Sequence, residues 1–294
     1  MARPGFAGDA RSARRVVDRA EQTGRYAARR QQRWILPLGR AGYAAIGVVY
    51  AIVGVLAARA AMGVSGGDIT DSGGALARVM DAPFGRILLA MLGVGMVGYA
   101  FWRLVQALLD TERQGENAKG LAARAGFAIA GVVYAGLGIS ALAMSLGRGG
   151  QPSEEQAAQD RAAWLMSQPF GAWLVIAAGA IVLGVGIAQF VRAYRASFRE
   201  KLHEEALDDG KRRLVEYAGR LGFAARGVVF LITGGFLLLA GSQARPDQAK
   251  GLGGALASLA SQPYGAWLLG LVAVGLVAYG AYMLLAARYR RMVL

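Results

Sequence analysis

Arg40-Ala-Gly42-Tyr43-Ala-Ala-Ile-Gly47-Val48-Val49-Tyr50 is the stretch that decides the fold, because the chain writes it three times. It returns as Arg124-Ala-Gly126-Phe127-Ala-Ile-Ala-Gly131-Val132-Val133-Tyr134, and again as Arg220-Leu-Gly222-Phe223-Ala-Ala-Arg226-Gly227-Val228-Val229-Phe230. A second phrase trails each copy: Pro83-Phe84-Gly85, Pro169-Phe170-Gly171-Ala172-Trp173-Leu174 and Pro263-Tyr264-Gly265-Ala266-Trp267-Leu268. A repeated unit of this length is one supersecondary element copied and packed against itself. Both phrases lead into nearly charge-free runs, around 42–59, 87–103, 126–146, 172–190, 222–241 and 266–287. Each is close to the roughly 20 residues that carry a helix across a hydrocarbon core. Lipid offers no partners to backbone amides, so spans are helices or closed barrels, and the ten-residue alternation of barrel strands is absent. The expected fold is all-α: an integral membrane six-helix bundle of three parallel two-helix repeats with pseudo-threefold symmetry. The units fall at 39–113, 123–199 and 219–290, preceded by a basic tail over 1–38.

Composition agrees. The 294 residues are 55% hydrophobic, with 43 glycines and a net charge of +14. Charge sets the orientation: the tail through Arg40 holds ten Lys and Arg, 103–124 four, 192–220 eight and the C-terminal tail three. The other connections hold seven together, so the positive-inside rule places both termini in the cytoplasm. The charge is thus a topology signal, and nucleic-acid binding is not needed to explain it. There is no cysteine, hence no disulfide, thiolate ligand or thiol nucleophile, and the one histidine, His203, lies in a charged loop. No strand and P-loop lysine accompany the glycines. No cofactor, no metal site and no catalytic residue is expected.

Within a unit, Gly47 and Gly54, Gly131 and Gly138, and Gly227 and Gly234 stand seven apart, on one helix face. Small residues on one face let another backbone approach, which is how helices pack in lipid. The outer connection predicts a short amphipathic helix, ended by Pro-aromatic-Gly. Trp173 and Trp267 are expected to anchor at the outer boundary. The cytoplasmic loop over 192–220 reads as extensions of helices four and five joined at Gly210.

These three copies of R-x-G-[YF]-x3-G-V-V-[YF], each followed by P-[FY]-G, resemble the bacterial domain-of-unknown-function 1206 family, over about Gly39–Tyr289. The resemblance implies a triplicated unit with six spans and a bacterial inner-membrane location. It supplies no activity, and the middle copy departs from it by losing Gly-Gly-Ala-Leu from its outer loop.

Candidate binding chemistry is cationic. Arg40, Arg124 and Arg220 recur at one place in every unit, either as a guanidinium ring for an anion or lipid phosphate or as anchors that snorkel to the interface. Arg226 breaks the repeat, about 9 Å deeper than Arg220 at 1.5 Å per residue. A charge inside a span is a functional-site hypothesis by default. Counting from the turn prolines aligns Arg103 with Gln189 and Gln106 with Arg192, an inward polar patch for Arg226 to join. Tyr43, Phe127 and Phe223, then Tyr50, Tyr134 and Phe230, form two aromatic layers, as plain packing or as a gate. Intramembrane carboxylates are absent, which argues against proton relays and carboxylate-based sodium sites. The expected function is a non-enzymatic structural, lipid-interacting or partner-binding module, with anionic membrane lipids as partners and a protein partner or oligomer left open. The alternative is a small-solute or ion channel or transporter along the pseudo-threefold axis.

Overall fold

The computed structural model describes residues 36–64, 69–112, 114–148, 154–202, 205 and 208–291. Nearly all of the basic tail lies outside them, as do His203 and Glu204. The described residues form nine α-helices and no strand. Six are long and apolar enough to cross a membrane: α1 (Leu36–Ala61), α3 (Gly85–Leu109), α4 (Ala118–Ser145), α6 (Gly171–Arg195), α7 (Asp209–Ser242) and α9 (Gly265–Tyr289). Three shorter ones, α2 (Ser72–Met80), α5 (Glu154–Met166) and α8 (Leu252–Ala260), each join the two long helices of one repeat.

The two sequence phrases have distinct physical jobs. In Pro-aromatic-Gly the proline closes the short helix, and Phe84, Phe170 and Tyr264 take left-handed φ values of 59, 60 and 61°. That conformation costs an L-residue about 1–2 kcal/mol. The turn then brings the glycine so close to the preceding helix that a Cβ on Gly265 would stand 2.0 Å from the Ala260 carbonyl oxygen. The aromatic rings point away from the protein, about four-fifths exposed.

The glycine register of the first phrase packs between repeats, at equivalent positions each time. Gly54, Gly138 and Gly234 meet the backbone of Val277, Val97 and Leu183, and Gly47, Gly131 and Gly227 meet the side chains of Leu284, Leu104 and Phe190. The second long helix of each repeat therefore packs on the first long helix of the next, α3 on α4, α6 on α7 and α9 on α1. Within repeats, Gly42 lies against the Tyr99 backbone and Gly95 against Ala45, while Gly222 lies against Tyr279 and Gly275 against Ala225.

The middle repeat differs. Gly126, the counterpart of Gly42 and Gly222, faces open space, as does Gly184 on α6. The seam positions held by Ala45 and Ala225 become Ile129, and those held by Gly95 and Gly275 become Ile181; both isoleucines are exposed.

One half of the bundle core is aliphatic, with Val53, Leu76, Leu89, Leu256, Leu269 and Leu276. Leu76 and Leu256 come from α2 and α8 and are fully buried, so the short helices cap this end. Asp71 caps α2 by accepting from the Gly74 amide at 2.7 Å. The other half is aromatic, with Tyr43, Trp102, Phe198, Phe223, Tyr279 and Tyr282. That end carries the basic loops. There the sequence expectation for 192–220 is corrected: α6 ends at Arg195, Ala196 turns left-handed, and α7 starts at Asp209 with Asp208 accepting from the Lys211 amide at 2.8 Å. Gly210 sits in the first turn of α7 and joins nothing, because the Asp208 cap fixes the helix start one residue earlier.

Candidate functional site

Tyr99 on α3 and Tyr279 on α9 occupy the same place in repeats one and three, sixteen residues after the turn proline. Each carries an arginine. The Tyr99 hydroxyl accepts from Arg103, whose guanidinium carbon lies 4.8 Å from the Tyr99 ring centre and 5.3 Å from that of Phe127. The Tyr279 hydroxyl accepts from Arg226 at 2.5 Å, with the guanidinium 4.5 Å from its ring, 5.1 Å from Phe230 and 5.4 Å from Tyr50. Guanidinium over an aromatic face is attractive, and more so when shielded from water. Arg226 thus points into the bundle.

The polar groups of the expected inward patch pair among themselves. Arg103 donates to Gln106 Oε1 at 3.0 Å, and Arg192 to Gln189 Oε1 at 3.4 Å, both glutamines being buried. Ala193, next to Arg192, packs in the same aromatic cluster as Tyr99 and Tyr279. Three arginines, contributed by α3, α6 and α7, therefore converge in the aromatic half. Five shielded polar atoms among the described residues lack a hydrogen bond, and all lie in this half: Tyr43 Oη, Trp102 Nε1, Arg103 Nε, Thr111 Oγ1 and Arg226 Nε. Buried polar groups are nearly always satisfied, so a concentration of exceptions asks for an explanation.

The carboxylate nearest to this cluster is Glu112, just after α3. It accepts from Gln106 at 2.7 Å, from Arg290 at 2.7 Å and from Lys201. Burial works to raise its pKa, but the charges of Arg290 and Lys201 outweigh that and hold it at about 2. Glu112 is therefore held directly by Arg290 and Lys201, and Gln106 links it to Arg103. Sequence reading missed Glu112, Lys201, Arg290, Tyr99 and Tyr279. The tyrosines had a signal, their matching distance from Pro83 and Pro263; Glu112 had none, since its partners lie 89 and 178 residues away.

The arginines repeated in every unit have a different geometry. Arg124 donates to the Ala107 and Leu108 carbonyls at 2.8 and 3.1 Å, at the end of α3. Arg220 donates to the Tyr194 carbonyl at 3.2 Å, at the end of α6, and to Glu216 at 3.1 Å. Leu108 and Tyr194 are equivalent positions, so both arginines clamp the terminal carbonyls of the preceding long helix, groups that lack intrahelical donors. Arg40 is exposed. The layer aromatics reach one another through the α3 and α9 tyrosines: Tyr43 and Tyr134 meet Tyr99 edge-on at 5.0 and 4.9 Å, and Tyr50 and Phe223 meet Tyr279 at 4.9 and 5.5 Å.

The description Domain of Unknown Function (DUF1206) matches residues 41–110, 125–196 and 221–290. The chain is also similar to Uncharacterized protein YxxB of Bacillus subtilis (strain 168), with 36% identity over 259 residues, 88% of this chain and 92% of the relative. No solved structure matches. With three tandem matches and a relative aligned along almost its whole length, the chain belongs to the DUF1206 family.

Proposed function

We propose that this protein is a non-enzymatic, multi-pass protein of the bacterial cytoplasmic membrane, with both termini cytoplasmic, that binds an anionic group in the Arg103–Arg192–Arg226 cluster. Its three repeats run parallel around a pseudo-threefold axis, a reading supported by the thrice-repeated glycine contacts. The observation that carries the binding function is charge: three guanidinium groups bordering one aromatic cluster, beside a carboxylate already held by Arg290 and Lys201. Uncompensated charge at such depth is costly and marks a ligand or ion pathway. Guanidinium donors suit the oxygens of phosphate or carboxylate. The cluster offers phenols and guanidiniums without a nucleophile and base in contact, which favours binding over catalysis. The aliphatic core around Leu76 and Leu256, at the end capped by α2 and α8, favours binding over a channel.

The test is thermal unfolding of the detergent-solubilised protein in inorganic phosphate against chloride at equal ionic strength. Phosphate is expected to raise the midpoint of the parent and to leave Arg226→Gln and Arg192→Gln unmoved. Equal stabilisation of parent and both variants would remove the cluster from consideration.

A further inference from the structure

Every junction between neighbouring long helices makes a close small-residue contact except the one inside the middle repeat, and there the substitutions are steric. In repeat one, a Cβ on Gly95 would lie 2.8 Å from the Ala45 Cβ, and in repeat three a Cβ on Gly275 would lie 2.4 Å from that of Ala225. The middle repeat places Ile181 and Ile129 at those two positions, so α4 and α6 cannot close to the same separation. Val185 stands where Tyr99 and Tyr279 seal the other two repeats, and is 40% exposed. Ile181, Val185, Ala188 and Arg192 are spaced by four, three and four residues along α6, which puts them on one face. All four are exposed. On α4, Gly126 faces open space next to Phe127, the ring beneath Arg103. The opening is therefore apolar along its length and ends at the guanidinium cluster.

We propose that the α4–α6 opening is a lateral portal for one anionic phospholipid, with its phosphate on Arg192 and Arg226 and its acyl chains along Ile181, Val185 and Gly126. This rests on the anion-binding reading above and names the ligand class and its route. Charge complementarity selects the occupant: an apolar strip leading to uncompensated arginines matches an amphiphile with an anionic head. A second copy of this chain would bring the same cations against them.

The chain lacks cysteine, so a single cysteine carries a single fluorophore. Gly126→Cys is labelled with bimane and reconstituted in nanodiscs containing equal small mole fractions of brominated phosphatidylglycerol or brominated phosphatidylcholine. Leu271→Cys, an exposed position on α9, is the control. Quenching at 126 should favour phosphatidylglycerol by about fivefold for each arginine engaged, from the usual attraction of a basic residue for anionic lipid. It should show no preference at 271, and the preference at 126 should fall about fivefold in Arg192→Gln and in Arg226→Gln. Equal quenching by both lipids at 126 would leave only annular lipid and overturn the portal. No quenching by either lipid, with a doubled mass on size exclusion, would assign the face to a second copy. If inorganic phosphate still protects the parent but not Arg226→Gln in either event, the anion site stands and the lipid route alone falls. If phosphate also fails, the underlying reading falls with it.

Discussion

Replacing Glu112 by glutamine removes the one anion on which three separated parts of the chain converge. Its carboxylate holds Arg290 beyond the end of α9, Lys201 in the α6–α7 connection, and Gln106 on its own helix. The side chains of Glu112 and Arg290 are only 14% and 8% exposed, so solvent screens little of the interaction. Held at about 2 where the group ordinarily titrates at 4.5, the carboxylate carries about 3 kcal/mol of differential stabilisation. A second route gives a similar figure: deleting one member of a buried pair costs about 3–5 kcal/mol, because the survivor is left charged and unpaired. At about 2 °C per kcal/mol for a large domain, Glu112→Gln should melt at least about 6 °C below the parent.

The pH dependence supplies the sharper check. The pKa is depressed by folding, so the stabilisation is complete above about 4.5 and disappears as pH falls through about 2. The gap between parent and variant, followed by tryptophan fluorescence in detergent, should be constant near neutrality and about half as large at pH 3. Adding Arg290→Gln to Glu112→Gln should restore part of the loss, since no buried charge then lacks a partner. An unchanged midpoint, or a gap that does not narrow on acidification, would refute the reasoning.

Three further outcomes are expected. Gly280→Leu places a side chain where a Cβ already lies 2.6 Å from the Gly47 carbonyl oxygen, so it should cost at least about 3 kcal/mol and abolish a monodisperse size-exclusion peak. Gly126→Leu meets open space and should change stability by no more than about 0.5 kcal/mol. Arg124→Ala and Arg220→Ala each uncover terminal carbonyls, and should cost about 1 kcal/mol, read as faster amide exchange in the last turns of α3 and α6 respectively.

What the sequence made legible is what it repeats. The glycines seven apart, the Pro-aromatic-Gly turns and the six long apolar helices are local patterns, and local patterns survive without knowledge of the partner. The inward placement of Arg226 was legible for a different reason: a charge so deep in an apolar run has few places to go. Partner identity was not legible. Nothing near Gly47 says that α9, more than two hundred residues later, is the helix it meets. Arg124 and Arg220 look like boundary markers until the ends of α3 and α6 are placed beside them, when they become clamps for carbonyls. Glu112 looks like an ordinary loop acid, because its meaning lies in residues brought together only by the folded chain. Gly210 does not join α6 to α7, because Asp208 accepts a backbone amide and so fixes where α7 begins.

The open middle repeat follows from the same physics as the closed seams. In water, exposing Ile129, Ile181 and Val185 would be opposed by the hydrophobic effect, and the helices would be driven together despite imperfect fit. In a bilayer the acyl chains are as apolar as the side chains, so closure depends on close van der Waals packing alone. Small residues supply that packing where Gly95 meets Ala45 and Gly275 meets Ala225; Ile181 and Ile129 at the matching positions of the middle repeat withdraw it. Opening one seam therefore costs the bundle little, while the other two intra-repeat contacts and the three between repeats hold the rest. The arginine at the inner end of the opening is a different matter, because Arg192 would be expensive against hydrocarbon unless an anion accompanied it. The two departures of the middle repeat, bulky residues along the seam and an arginine where repeat one has Gln106, each make sense only with the other. In the proposed portal, the isoleucines admit the chains of an amphiphile and the arginine retains its head.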